Sequence, residues 1–171
     1  VVANVATTYC SQKYNTDIPV WERDVDTAVQ MLKDAGYDFD DPLVLYTNYS
    51  DQQSIDIMEM MVASLQEAGV AAEYYIDSQN AYSIIYETLD FDYLYGAGGG
   101  MDCGAFNQVN PGALYDVWYT EEILAENAER YGKLIAEYGA TNDAAKREQI
   151  LDQLQINSME DMHRIPIWFM A

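Results

Sequence analysis

The chain has 171 residues, half of them hydrophobic, with 29 acidic and 8 basic side chains and a formal net charge of −21. That length and apolar share point to one folded domain and argue against disorder. The charge argues against nucleic-acid backbones and anionic membrane surfaces as partners, since both need basic patches; it suits cations, amines or basic partners, or serves solubility alone.

Residues 1–20 show no clear hydrophobic period, and Pro19 with the polar run Ser11 to Asp17 reads as an irregular lead-in. After Trp21 a helix is predicted from about Arg23 to Ala35. Val25, Ala28, Val29, Leu32 and Ala35 share one face, and Gly36 follows as a left-handed cap. Leu43 to Thr47 is a short apolar run that fits a strand covered on both faces, as in parallel sheets. Ser50 with Gln53 reads as a capping box opening a second helix. It runs to about Ala68 with Ile55, Met58, Met61, Val62 and Leu65 inward, and Gly69 closes it. In the group Met58, Met60 and Met61, one member is expected at the surface.

Val70 to Ile76 is the second predicted strand. Ser78 is placed as the cap of a helix over Gln79 to Leu89 that buries Tyr82, Ile85, Tyr86 and Leu89. The third strand starts at Phe91, with Phe91, Tyr93 and Tyr95 at the spacing of a pleated surface. Helices alternating with strands in this way imply parallel crossover units with helices on the sheet faces.

Beyond it, Pro111-Gly112 marks a turn, with a short helix near Ala113 to Tyr119. Thr120 caps a helix whose inward residues are Leu124, Ala128, Tyr131, Ile135 and Tyr138 and which Gly139 ends. Thr141 caps another, to about Met162, burying Ile150, Leu151 and Leu154. Ile165 to Met170 reads as a closing strand. Together, residues 21–171 are expected to form a single α/β lobe, three layers deep, with a mainly parallel sheet flanked by helices.

The third strand runs into Gly98, Gly99 and Gly100, then Met101 and Asp102. Three glycines bare the backbone to close approach, and a single carboxylate follows. Ligands tend to sit beyond the carboxyl ends of strands in open α/β sheets. Two readings stand: a loop that holds a small polar ligand, or a surface turn with a solvated acid.

Catalytic sets are missing. Gly96 to Met101 lacks the last glycine of the dinucleotide fingerprint, and neither a phosphate-binding Gly-Lys-Ser/Thr nor a Gly-x-Ser-x-Gly elbow is present. The acid pairs Asp40-Asp41 and Glu121-Glu122 read as solvated. His163, the one histidine, is expected at a helix C-terminus, where a protonated imidazole complements the dipole. With one histidine and two distant cysteines, Cys10 and Cys103, no zinc cluster forms, and no metal or other cofactor is implied. Among fifteen tyrosines, Tyr49 and Tyr95 fall near strand ends, where they can line an aromatic binding surface.

Neither a membrane-spanning apolar run nor a signal-peptide pattern is visible. The start at Val1-Val2-Ala3-Asn4 and the stop within a predicted strand read as a piece of a longer protein.

The order of motifs resembles the family 5 extracellular solute-binding proteins, the dipeptide and oligopeptide receptors of ABC importers. Ala28-Val29-Gln30-Met31-Leu32-Lys33-Asp34-Ala35-Gly36-Tyr37 is similar to their A-x-x-L-L-x-x-A-G-Y segment. Leu43 to Ser50 looks like their strand and following loop, Leu65 to Val70 like their helix end, Phe91-Asp92 like their F-D strand, and Ile165-Pro166-Ile167 like their closing strand. The resemblance covers about residues 20–170.

It implies one lobe of a two-lobe, periplasmic-binding-protein type II receptor, non-catalytic, closing on a ligand. Asp102 matches the acid that pairs with a peptide's terminal amine. Gly98, Gly99, Gly100, Met101, Asn48, Tyr49 and Tyr95 are the other ligand-binding candidates. Two departures, Gly99 where members often have Trp and Gly96 where some have a basic residue, remove expected contacts. The implied partners are a peptide or small solute, the first lobe and an ABC permease. The implied location is outside the cytoplasmic membrane, as part of a tethered lipoprotein. A small hydrolase using Asp102 with His163, or a protein-interaction domain, are the alternative readings.

Overall fold

The computed structural model describes residues 15, 18, 22–97, 106, 109–165 and 167. The described residues fall into two compact units, Glu22–Ala97 and the remainder.

The first unit holds a three-stranded, wholly parallel sheet in the order β2-β1-β3. Its elements are helix α1 (Val25–Asp34), strand β1 (Leu43–Thr47), helix α2 (Gln52–Glu67), strand β2 (Ala72–Ile76), the short helix α3 (Ala81–Ser83) running into a π-helical turn (Ile84–Thr88), and strand β3 (Tyr93–Leu94). β1 occupies the bounds its apolar run predicts. Lying between two neighbours, it buries Leu45, Tyr46 and Thr47 almost completely. Leu43 pairs with Ala72 and Thr47 with Ile76 on one side; Leu45 pairs with Tyr93 on the other.

Helix ends follow local chemistry. Gly36 (φ +74°) and Gly69 (φ +81°) take the left-handed position after α1 and α2. In both, the next residue's amide reaches back to close the last turn: Tyr37 N donates to Leu32 O and Val70 N to Leu65 O, each 3.0 Å.

The start of α2 differs from the expected Ser50 box. Asp51 is the cap; its carboxylate accepts from Ser54 N at 3.0 Å and Ser54 Oγ at 2.8 Å. A carboxylate one residue on satisfies two donors, and Gln53 is left exposed. Met58 is fully buried and Met60 is the surface member of its group.

The helix expected over Gln79 to Leu89 is corrected twice. Asp77, not Ser78, holds its entry, accepting from Gln79 N at 2.9 Å and Asn80 N at 3.0 Å. The π-helical turn then shifts the inward face, so that Tyr82 is exposed and Ile84 is buried.

The third strand is only two residues long, and Tyr93 is exposed. The Asp92 carboxylate extends the pairing: Val44 N donates to Asp92 Oδ2 at 2.7 Å while Asp92 N donates to Val44 O at 2.8 Å. One residue thereby supplies both donor and acceptor to β1.

The second unit is helical among its described residues. A 3-10 turn (Asp116–Trp118) precedes α4 (Glu121–Asn127), a π-helical segment (Ala128–Gly132), α5 (Lys133–Ala140) and α6 (Ala144–Asp161). Its core gathers Phe106, Val109, Tyr131, Ile150, Leu151 and Leu154, with Tyr119, Leu134, Ile135 and Tyr138 against it. Thr120 caps α4 as expected. Gly139 lies inside α5 rather than ending it, and Asp143, whose side chain accepts from Ala145 N and Lys146 N, caps α6 in place of Thr141. The strand expected at Ile165 to Met170 falls mostly outside the described residues.

Asp92→Ala removes the acceptor for Val44 N and is expected to cost about 1 kcal/mol in a urea melt. Asp92→Asn, which keeps an acceptor oxygen, should lose less.

Candidate functional site

The carboxyl ends of the three parallel strands form one edge of the first unit. Three short segments meet there: Asn48-Tyr49 after β1, Asp77 after β2, and Tyr95-Gly96-Ala97 after β3.

Tyr46 anchors this edge from inside the sheet. Its hydroxyl donates to Asp77 O at 2.7 Å, and its carbonyl accepts from Tyr95 N at 2.8 Å. Its ring lies 5.0 Å from that of Tyr75 and 5.6 Å from that of Phe91. Burial first, then the nearby Asp77 carboxylate, pushes its phenol pKa up and keeps it a neutral donor. Thr47, also fully buried, accepts from Tyr49 N at 3.1 Å through Oγ1, which turns the chain outward after β1.

Tyr49 and Tyr95 are brought together as their strand-end positions predict. Their rings stand edge to face, 6.2 Å apart at 86°. The Tyr49 hydroxyl accepts from Ala97 N at 3.1 Å, a bond spanning 48 residues of sequence. Asn48 is half-buried beside it. Gly98, Gly99, Gly100, Met101 and Asp102, together with Cys10 and Cys103, lie outside the described residues. At Gly96 an added Cβ would meet Leu94 at 3.8 Å, an ordinary contact; space alone does not demand glycine there.

Two acids at this edge are committed to the backbone. Hydrogen bonds from the Asn80 side chain and amide hold Asp77 below the usual carboxylate range, and those from the Ser54 hydroxyl and amide do the same for Asp51. Sequence reading passed over Asp77, although an acid two and three residues before Gln79 and Asn80 is the pattern of such a turn. The Tyr49–Ala97 bond carries no local sequence signal.

His163 is not the charged helix-end group expected. It follows Met162, which caps α6 in the left-handed conformation, and its Nε2 lies 3.0 Å from Asn127 Oδ1. Asn127 is buried and donates through Nδ2 to Val109 O at 2.7 Å. Its oxygen therefore faces the imidazole, which carries its proton on Nε2. The ring stands edge to face with Tyr119 at 5.1 Å. Burial lowers the His163 pKa, against the pull of Asp161 and Glu126, so the ring is neutral near pH 7.

Among the described residues no group of three His, Cys, Asp or Glu is placed to hold a metal ion, and no helix is long and apolar enough to cross a membrane. A cleft of about 190 Å³ lies away from the strand ends, between α1 and α2, lined by apolar residues including Val29, Leu32, Leu65 and Val70.

Solved structures share this fold over nearly the whole chain. The ABC transporter substrate-binding protein CtaP from Listeria monocytogenes matches with a TM-score of 0.77 and 20% identity over 98% of this chain. The fold is that of a substrate-binding-protein lobe. The oligopeptide-binding protein AppA from Bacillus subtilis, in complex with a nonapeptide, matches this lobe at a TM-score of 0.70 and 21% identity over 94% of the chain. NikA from Brucella suis, in complex with Fe(III)-EDTA, matches at 0.76 and 15% identity over 97%. The chain spans about a third of each, 34%, 35% and 36% respectively. No family model and no curated protein sequence matches it.

Two measurements test this geometry. Tyr46→Phe, which strips the buried hydroxyl from Asp77 O, is expected to cost about 1 kcal/mol in a urea melt. For His163 the folded ring binds a proton less readily than the unfolded one. Its contribution to stability is thus complete above about pH 6.5 and falls as pH drops through the lowered folded value. The urea midpoint of the native protein should fall more than that of His163→Gln between pH 7.5 and pH 5.5.

Proposed function

We propose that this chain is one lobe of the substrate-binding component of an ABC importer, a non-catalytic protein that captures a small solute, most simply a peptide, between two lobes. The observation that carries the reading is the likeness of nearly the whole chain to substrate-binding proteins three times its length. On this reading residues 21–171 make a single lobe and residues 1–20 its lead-in. The partner lobe lies in the rest of the parent protein, which works outside the cytoplasmic membrane, tethered as a lipoprotein, and delivers its ligand to a permease.

The ligand is held at the carboxyl edge of the sheet. Asp102 is the acceptor for a terminal ammonium, a charge-assisted hydrogen bond. Gly98, Gly99, Gly100 and Met101 let the ligand approach the backbone, while Asn48, Tyr49 and Tyr95 contribute from the adjoining strand ends. Contacts made from both lobes favour the closed state, which is how binding becomes a signal the permease reads.

The test is isothermal titration of the full-length protein with a pool of short peptides, alongside Asp102→Ala. Binding that weakens by about 1.5–3 kcal/mol in the variant is the expected result. A full-length protein that binds no peptide removes the peptide assignment.

A further inference from the structure

Tyr49 has a hydrogen-bonding capacity that the described residues leave unused. A phenol oxygen accepts and also carries one O–H donor. The acceptor side is taken by Ala97 N at 3.1 Å. No acceptor for the O–H stands among the described residues. The residue is held at three points: Thr47 Oγ1 accepts from its backbone amide, Ala97 N donates to its phenol oxygen, and the Tyr95 ring meets its ring edge to face. The Thr47 that anchors it is itself fully buried. A donor held this way loses little freedom when it is used, and that favours binding. It stands at the carboxyl edge of a parallel sheet, where such folds take ligands.

We infer that Tyr49 is an oriented hydrogen-bond donor for an oxygen acceptor on the ligand, a carbonyl or a carboxylate, with the Ala97 amide holding the phenol in place. This deepens the proposed peptide-binding reading and rests on it. A peptide offers both kinds of oxygen, and a donor at Tyr49 complements an acid that takes the ligand's ammonium.

The test uses the full-length protein titrated with a pool of tri- to pentapeptides, the same pool with C-terminal carboxamides, and two replacements at position 49. Tyr49→Phe removes the donor and the acceptor together and should weaken binding by about fivefold or more. Incorporating 3-fluorotyrosine at Tyr49 strengthens the O–H as a donor and weakens its oxygen as an acceptor. Affinity that holds or rises with the fluorinated residue supports the donor role. If Tyr49→Phe weakens both pools equally, the acceptor is a carbonyl; if it weakens only the free acids, it is the carboxylate. Unchanged affinity in Tyr49→Phe overturns the inference while leaving the receptor reading intact. So does affinity that falls in both replacements, because the hydroxyl then acts only by holding Ala97. Native protein that binds neither pool overturns the inference and the peptide reading together.

Discussion

The sheet depends on Tyr46. It sits in β1, the central strand, with no exposed surface, and its ring, hydroxyl and carbonyl each reach a different neighbour. The ring fills the space between Tyr75 of β2 and Phe91 before β3. The hydroxyl donates to the carbonyl of Asp77, where the chain leaves β2. Its carbonyl accepts from Tyr95, where the chain leaves β3. A buried phenol is acceptable only when its O–H finds a partner, and here that partner lies at the edge where the three strands end. The packing of the core and the placement of the strand ends are thus set by the same side chain.

Elsewhere in the chain, acidic side chains put their charge to local use. Asp24, Asp51, Asp77 and Asp143 each close a turn or open a helix by accepting from backbone amides. Asp92 does the equivalent for a strand, standing in for a missing ladder bond to Val44. These acids are tied to their own backbone. The F-D pair that marks the third strand has a structural cause: Phe91 packs on Tyr46 and Asp92 completes the pairing of β1 with β3.

Much of the first unit was legible because its signals are local. The run Leu43 to Thr47 has no polar break before its end, and Gly36 and Gly69 are needed where φ turns positive. Cap positions were legible only to within a residue or two, because Ser50 and Asp51 both suit a helix start and the carboxylate prevails by accepting twice. The face of the helix after Asp77 was misread because a π-helical turn breaks the 3.6-residue period, burying Ile84 in place of Tyr82. His163 was misread because its partner Asn127 is 36 residues away and burial, not the helix dipole, decides its charge. Of the candidate site, the meeting of Tyr49 with Tyr95 was readable from strand ends, while the amide of Ala97 that fixes Tyr49 was not.

On the proposed reading, the full-length protein captures its ligand by closing two lobes around it. Closure is a change of shape, so scattering reports it directly. Small-angle X-ray scattering of the full-length protein, with and without a saturating pool of short peptides, is the decisive measurement. The account predicts a smaller radius of gyration when ligand is bound. Ligand binding with an unchanged radius of gyration would contradict it.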